Sequence, residues 1–132
     1  MILIDSSLWI DLFIDSTRFP DAGTRIGEFA VCGPIVQEVL QGLDSRKPPA
    51  AGLRDAFLAL PKLCDPLPLE LFLEAAQIFL DGRRRGYTIR SGVDCLIAAI
   101  AIHSDVDVWH RDRDFTTIAR YTRLRAVGKY VT

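Results

Sequence analysis

The first thirteen residues, MILIDSSLWIDLF at positions 1–13, decide the fold class. Residues 1–4 are an apolar run of the kind that forms a strand buried on both faces. The polar residues 5–7 follow as a helix-capping cluster, and Leu8 and Leu12 then repeat at helical spacing. Because a buried strand followed directly by a helix is the repeating unit of parallel sheets, the sequence predicts an α/β fold.

The rest of the chain continues this alternation of strands and helices. Further strands are predicted for residues 28–32, 63–67, 106–109 and 125–127. Helices are predicted over residues 33–43, 57–60, 69–85, 95–102 and 112–121. Ser91 to Asp94 has the pattern of a capping box, and no internal repeat or linker interrupts the chain. Residues 1–132 are therefore expected to form a single domain, with a mostly parallel sheet flanked by helices.

The composition is that of an ordinary globular domain. The chain has 132 residues, of which 49% are hydrophobic and 25% charged, so it can bury a core without disulfides. Its three cysteines are far apart and lack a C-x-x-C pair, and they are predicted to be reduced and buried. No apolar run approaches the roughly 18 residues of a membrane span, and no basic leader precedes one, so a cytoplasmic location without membrane contact is expected.

Charge is divided unevenly along the chain, although its net value is only -1. Residues 1–81 hold 6 basic and 12 acidic side chains, whereas residues 82–132 hold 10 basic and 5 acidic ones. A basic face beside an acidic pocket could attract a phosphate backbone. Arginines that merely solvate helix faces would give the same count, so both interpretations stay open.

Acidic residues recur where predicted strands end and helices begin. The candidates in these positions are Asp5, Glu38, Asp94, Asp112 and Asp114. Ligands of an open parallel sheet bind outside the carboxyl ends of its strands, where these segments would meet. Carboxylates gathered there repel one another and favour a bound cation, and an all-oxygen site suits Mg²⁺ or Mn²⁺. Taken singly, the aspartates are equally typical of helix caps, and Glu38 of a solvated helix face.

Four segments together resemble the acidic motifs of PIN-domain proteins, in the right order and over nearly the whole chain. The segments are MILIDSSLWIDLF, PIVQEVLQG, SGVDCLIAAIA and VWHRDRDFTTIA. They are most similar to those of VapC toxins from toxin-antitoxin pairs. The resemblance implies a three-layer α/β/α sandwich that cleaves RNA with Mg²⁺ or Mn²⁺. It also implies a cognate VapB-type antitoxin as inhibitor and a homodimer within the complex.

By the same motifs, Asp5, Glu38 and Asp94 match the three central catalytic acids and Asp112 matches the fourth. Asp114 is a further candidate metal ligand, and the hydroxyl of Ser7 lies where a supporting hydrogen bond to the first acid is usual. The expected reaction is hydrolysis by a metal-activated water, leaving a 5′-phosphate and a 3′-hydroxyl. Arg85, Arg90 and Arg111 are candidates for positioning the RNA.

His110 departs from the family pattern, because a small hydroxyl residue is more usual two positions before the fourth acid. It is expected to be an exposed loop residue without a role, and His103 a cap or surface residue. Trp9 and Trp109 are expected to pack in the core or against a partner rather than stack on bases. The apolar stripe of the helix over 69–85, formed by Leu73, Ala76, Ile78 and Leu80, is assigned to the core or to subunit contacts.

Two other functions stay open at this point. A phosphotransfer domain, such as a receiver or a haloacid-dehalogenase-type phosphatase, would need a nucleophilic aspartate and a nearby lysine. The lysines, Lys47, Lys62 and Lys129, do not directly follow a plausible core strand, and the first strand ends D-S-S rather than D-x-D. A non-catalytic PIN-fold module that binds RNA or a partner is the second alternative.

Overall fold

Four parallel strands form the central sheet of the computed structural model, which describes residues 1–14, 25–43 and 52–128. The strands are β1 (Ile2–Ile4), β2 (Phe29–Ala30), β3 (Asp107–Trp109) and β4 (Ala126–Val127), in the order β2-β1-β3-β4. Every pairing among them is parallel, with Ile2 aligned to both Phe29 and Asp107. The α/β class with a parallel sheet is therefore confirmed.

In the described part of the chain, six α-helices accompany the sheet. They are α1 (Ser6–Ile14), α2 (Gly33–Gly42), α3 (Leu53–Leu58), α4 (Leu69–Arg84), α5 (Gly92–Ser104) and α6 (Arg113–Ala119). Local sequence explains where two of them begin. Helix α2 has a proline in its first turn, and α6 is capped by Asp112, whose carboxylate accepts the backbone N–H of Asp114. No helix in the described part of the chain is long and apolar enough to cross a membrane.

The core lies between the sheet and α5, the most thoroughly buried helix. Its residues 97–101 are almost completely inaccessible, and the helix packs along α4. Trp9 of α1 is buried as well, with its ring 5.7 Å from that of Phe29 and 5.0 Å from that of Phe57, both in edge-on contact. Trp109 is also buried, so the predicted packing role of both tryptophans is confirmed.

The strand order creates a crevice at the carboxyl ends of β1 and β3. The chain leaves β1 through α1 to reach β2 on one side of it, and it later returns to place β3 on the other side. Connections that diverge in this way leave an opening between them, which is the usual ligand site of such sheets. Asp5 follows β1 directly, and Asp112 follows β3 after two residues.

The predicted strand at 63–67 is wrong. Among the described residues, the pairing near it is a single parallel bridge between Lys62 and Val31, in which the N–H of Leu63 donates to the carbonyl of Val31 at 2.8 Å. Pro66 and Pro68 follow, and proline has no N–H to continue a ladder. The second strand is also shorter than predicted, because Glu28 belongs to a 3₁₀ turn, Ile26–Glu28.

Burial tests the prediction for the cysteines and separates the alternatives predicted for the apolar residues of α4. Cys32 and Cys95 are buried free thiols as expected, but Cys64 is only half-buried. In α4 the buried stripe runs through Leu71, Ala75 and Ile78. Of the predicted stripe, Ile78 is buried, whereas Leu73, Ala76 and Leu80 are exposed and so do not belong to the core. This helix has apolar residues on two sides, and sequence periodicity alone does not show which side is buried.

Candidate active site

A cleft of about 470 Å³ opens at the carboxyl edge of the sheet. Its walls come from the segments after β1 and β3, from α2 and from the start of α5. The lining residues are Asp5, Ser6, Ser7, Glu38, Arg90, Asp94, Arg111, Asp112 and Arg113. The fold thus brings four acids that are distant in sequence into one cleft, as the positions of the motifs predict.

Asp5 is fixed by the end of β1. Its backbone N–H donates to the carbonyl of Trp109 at 2.9 Å, which extends the ladder between β1 and β3. The Ser7 hydroxyl donates to Oδ2 of Asp5 at 2.8 Å, so the hydrogen bond expected of Ser7 is present. Burial raises the pKa of Asp5, while the bonds from Ser7 and from the backbone N–H groups of Ser6 and Ser7 act against that rise.

Glu38 and Asp94 each hold a carboxylate oxygen that is buried without a donor. Among the described residues, Oε1 of Glu38 and Oδ2 of Asp94 have no hydrogen-bond partner. Burial, with the nearby carboxylates of Asp5 and Asp112, raises the pKa of Glu38. Burial and the carboxylates of Asp112 and Asp5 raise the pKa of Asp94 to about 8.

The capping box predicted from Ser91 to Asp94 does not form. Ser91 does occupy the N-cap of α5, but its side chain makes no capping hydrogen bond. The Asp94 side chain, only 5% exposed, lines the cleft instead.

Asp112 and Asp114 complete the acidic wall. The Asp112 side chain is one-third exposed, and its Oδ1 accepts the N–H of Asp114 at 3.0 Å. Asp114 is 2% exposed. One carboxylate oxygen from each of Asp94, Asp112 and Asp114 lies within 4.8 Å of the other two, close enough for a shared cation.

Three arginines line the same cleft. The backbone N–H of Arg90 donates to Oδ2 of Asp114 at 3.1 Å, and its guanidinium reaches both Asp112 and Asp114. Arg111 forms an ion pair with Asp11, a buried acid of α1 that the sequence analysis did not single out. The only signal for Asp11 in the sequence is an acid inside an apolar helix. Arg85 is not part of the cleft and lies over the ring of Tyr121.

His110 is buried, not exposed as predicted. Only 1% of it is accessible, and its ring lies 5.4 Å from that of Phe115. Its Nδ1 accepts the N–H of Asp112 at 3.1 Å and so shapes the turn that carries this acid. Burial lowers the pKa of His110, which favours the neutral ring. His103 is exposed, as expected.

The residues of the cleft fit a hard divalent cation. Four acids supply carboxylate oxygens to the cleft. Two of these oxygens are buried and have no hydrogen-bond donor in the described part of the chain. Buried anionic oxygens in this state either take up protons or bind a metal ion. Oxygen ligands of this type suit Mg²⁺ and Mn²⁺ rather than softer metals.

A sequence model of the PIN domain matches residues 2–121. The chain belongs to the PIN-domain family. Its relatives include VapC ribonuclease Mb1587 of Mycobacterium bovis and Ribonuclease VapC11 of Mycobacterium tuberculosis. Each is 38% identical over 135 residues, which cover 97% of this chain and 98% of the relative. The resemblance inferred from the four motifs is confirmed, and membership of the PIN-domain family argues against the phosphotransfer alternative.

Solved structures show the same PIN fold. VapBC2 from Rickettsia felis, solved bound to a DNA fragment from its promoter, matches with a TM-score of 0.71 at 14% identity over 96% of this chain and 98% of its own. FitAcB from Neisseria gonorrhoeae matches with a TM-score of 0.69 at 19% identity over 97% of both chains. At these identities the match concerns the fold of this PIN domain and not its partners.

Proposed function

We propose that this protein is a metal-dependent endoribonuclease, the toxin of a toxin-antitoxin pair. The observation that carries the proposal is the convergence of Asp5, Glu38, Asp94 and Asp112 in one cleft, with buried oxygens that lack donors. Identity of 38% to VapC ribonucleases over almost the full chain supports the same activity. RNA is the substrate class, and a cytoplasmic location belongs to the same proposal.

The four acids would hold Mg²⁺ or Mn²⁺. Bound there, such an ion would activate a water for attack on the phosphate and stabilise the charge that develops on the phosphoryl oxygens. Ser7 orients the Asp5 carboxylate through its hydrogen bond. His110 holds the backbone of Asp112 and thereby sets the direction of that acid.

The arginines at the edge of the cleft would bind the RNA backbone. Arg111 and Arg113 are exposed and line the same cleft as the acids. Guanidinium groups form paired hydrogen bonds with phosphate oxygens, so they can hold a scissile phosphate against the acidic wall. Contacts of this kind position the RNA without reading its bases.

The proposal is tested by incubating purified protein with a mixed cellular RNA pool and Mg²⁺ or Mn²⁺. We expect discrete fragments with 5′-phosphate and 3′-hydroxyl ends. Cleavage should disappear in EDTA and fall at least about 100-fold in Asp94→Asn, because loss of a direct ligand exceeds the usual effect of outer-shell changes. Asp55→Asn, an exposed acid on α3, is the matched control and should cleave normally.

Other outcomes would change the proposal. Bound Mn²⁺ without cleavage of any RNA in the pool would favour the non-catalytic PIN-fold module. Fragments that end in a 2′,3′-cyclic phosphate would show that a ribose hydroxyl, and not water, is the nucleophile. Equal cleavage by Asp94→Asn and wild type would place the active site elsewhere.

A VapB-type antitoxin and a second copy of the chain are the proposed partners. VapBC2 shares the fold, and the chain exposes several large apolar side chains on one region of its surface. These are Leu69, Phe72, Leu73 and Leu80 of α4 and Val93 of α5. Exposed apolar surface of this kind marks contacts with other chains. Co-expression with the cognate antitoxin should yield a stable complex that no longer cleaves RNA, whereas unchanged cleavage would contradict it.

A further inference from the structure

Among the acids of the cleft, Arg90 forms ion pairs with Asp112 and Asp114 in the described structure. It precedes α5, and both its backbone and its guanidinium face the acids that follow β3. We propose that Arg90 takes the place of a second metal ion, so that the cleft holds a single divalent ion on the side of Asp5, Glu38 and Asp94. This inference rests on the proposed metal-dependent function and specifies how many ions that function uses.

On the Arg90 side, the carboxylates are already engaged. Oδ2 of Asp114 accepts the N–H of Arg90, and its Oδ1 lies 3.6 Å from Nε of the same residue. Oδ1 of Asp112 accepts from Nη2 of Arg90 at 3.3 Å and from the N–H of Asp114. Asp114 is almost completely buried, so these donors replace the water that would otherwise solvate its carboxylate. The group of Asp94, Asp112 and Asp114, whose oxygens lie within 4.8 Å of one another, could therefore share a metal ion only if these donors were displaced.

On the other side, the carboxylates have no cationic partner. Within residues 1–14, 25–43 and 52–128, no basic side chain forms an ion pair with Asp5, Glu38 or Asp94. Oε1 of Glu38 and Oδ2 of Asp94 also lack any hydrogen-bond donor there. This half of the cleft is therefore the part that needs a cation.

The charge of Arg90 acts against a second ion. An arginine side chain stays protonated at every pH that the fold survives, so it cannot release its charge to admit a metal. A divalent ion beside Asp112 and Asp114 would meet this positive charge at close range, because the guanidinium lies 3.3 Å from Asp112 and 3.6 Å from Asp114. Removal of the charge should therefore create a second site without altering the first.

The test is titration of each purified protein with Mn²⁺ alone, with free Mn²⁺ followed by electron paramagnetic resonance. Wild type should bind one ion per chain. Arg90→Gln should bind a second ion at least about tenfold more tightly than any second ion in wild type. Arg90→Lys, which keeps a charge, and Arg113→Gln, which removes a cleft arginine that makes no ion pair with these acids, should both behave as wild type.

Each of the other possible results contradicts the proposed role of Arg90. Two ions of similar affinity in wild type would overturn the role of Arg90 and leave the proposed function intact. An unchanged number of bound Mn²⁺ ions in folded Arg90→Gln would also overturn the role of Arg90. The backbone bond to Asp114 survives this substitution, and circular dichroism checks the fold; if that variant unfolds, the wild-type count alone decides. No bound ion in wild type would overturn both the inference and the proposed function.

Discussion

At the scale of single residues, Asp94 links the cleft to the stability of the fold. Burial and the neighbouring carboxylates raise its pKa to about 8, whereas an aspartate in an unfolded chain titrates near 3.8. Between these values the folded protein holds a proton that the unfolded chain has lost. The contribution of Asp94 to stability therefore decreases as pH rises from about 4 to about 8.

We therefore expect metal-free Asp94→Asn to be more stable than wild type at pH 8, and to lose less stability between pH 5 and pH 8. We expect the melting temperature of the variant to exceed that of wild type by more than about 3 °C at pH 8. For a domain of this size, this corresponds to roughly 1 kcal/mol of unfolding free energy. Thermal unfolding in EDTA measures it, with Asp55→Asn as control. If the melting temperatures of Asp94→Asn and wild type depended on pH in the same way, the pKa of Asp94 would not be raised in the folded protein.

Ser7 offers a second test at this scale. Its hydroxyl is the side-chain donor to Asp5, so Ser7→Ala leaves that carboxylate less firmly oriented and less stable as an anion. Loss of such an outer-shell bond typically weakens metal binding by about tenfold or more. Calorimetric titration with Mn²⁺ measures the change. Ser6→Ala is the matched control, because Ser6 contacts Asp5 through its backbone; equal losses in both variants would contradict a specific role for Ser7.

The positions of the acids are predictable from the sequence, whereas the positions of their neighbours are not. The positions of Asp5, Glu38, Asp94 and Asp112 follow from strand ends and from motif order, and all four line the cleft. The contact of Arg90 with Asp112 and Asp114 joins residues 22 or more positions apart, so local spacing carries no trace of it. The burial of His110 has the same origin, since it depends on Phe115 and on the crevice around it.

At the scale of elements, a strand whose residues are all apolar can be predicted from the sequence. A segment that proline interrupts cannot be assigned reliably in this way. Residues 1–4 read as a buried strand because every side chain there is apolar, and β1 is buried throughout. The segment 63–67 is interrupted by Asp65 and Pro66, and it lacks a ladder donor at Pro66. Composition alone therefore overestimates strand content where proline interrupts hydrogen bonding.

The contact between α4 and the segment after α6 depends on Gly82. A Cβ at this position would lie 2.5 Å from the hydroxyl oxygen of Tyr121 and 3.4 Å from Cγ1 of Ile89. The Tyr121 ring cannot easily move, because its hydroxyl donates to the carbonyl of Ile78 at 2.7 Å and the ring stacks on Tyr87. Although alanine favours a helix, Gly82→Ala should destabilise the protein by about 1–3 kcal/mol.

Urea unfolding of a double-mutant cycle tests this contact. In a Tyr121→Phe background the nearest atom is gone, so Gly82→Ala should cost less there than in wild type. Gly33→Ala, at a position where a Cβ meets nothing within 4 Å, is the control and should change stability little. An equal cost of Gly82→Ala in both backgrounds would show that Tyr121 does not limit the space.

At the scale of the whole molecule, the basic half of the chain does not form one continuous face. Arg90, Arg111 and Arg113 line the acidic cleft at the carboxyl edge of the sheet. Arg125 pairs instead with Asp105 and Asp107 at the opposite end of β3. Net charge counted by residue range therefore overstates the charge available to an RNA backbone, because some of these arginines are paired with acids.

The exposed side of α4 gives the last prediction, which concerns assembly. Leu71, Ala75 and Ile78 already supply the buried stripe of this helix, so Leu73, which is 62% exposed, is not needed for the core. If this surface joins two copies, Leu73→Lys should convert a dimer into a monomer at micromolar concentration. The folded chain itself should change by no more than about 0.5 kcal/mol, as is usual for exposed sites.

Light scattering after size-exclusion chromatography measures the mass of each form. Ala56→Lys adds the same charge at an exposed position on α3, outside this surface, and should stay dimeric. A wild-type monomer would contradict the proposed homodimer. A dimer that survives Leu73→Lys would show that another surface joins the two copies, and this apolar side of α4 would then be left for the antitoxin.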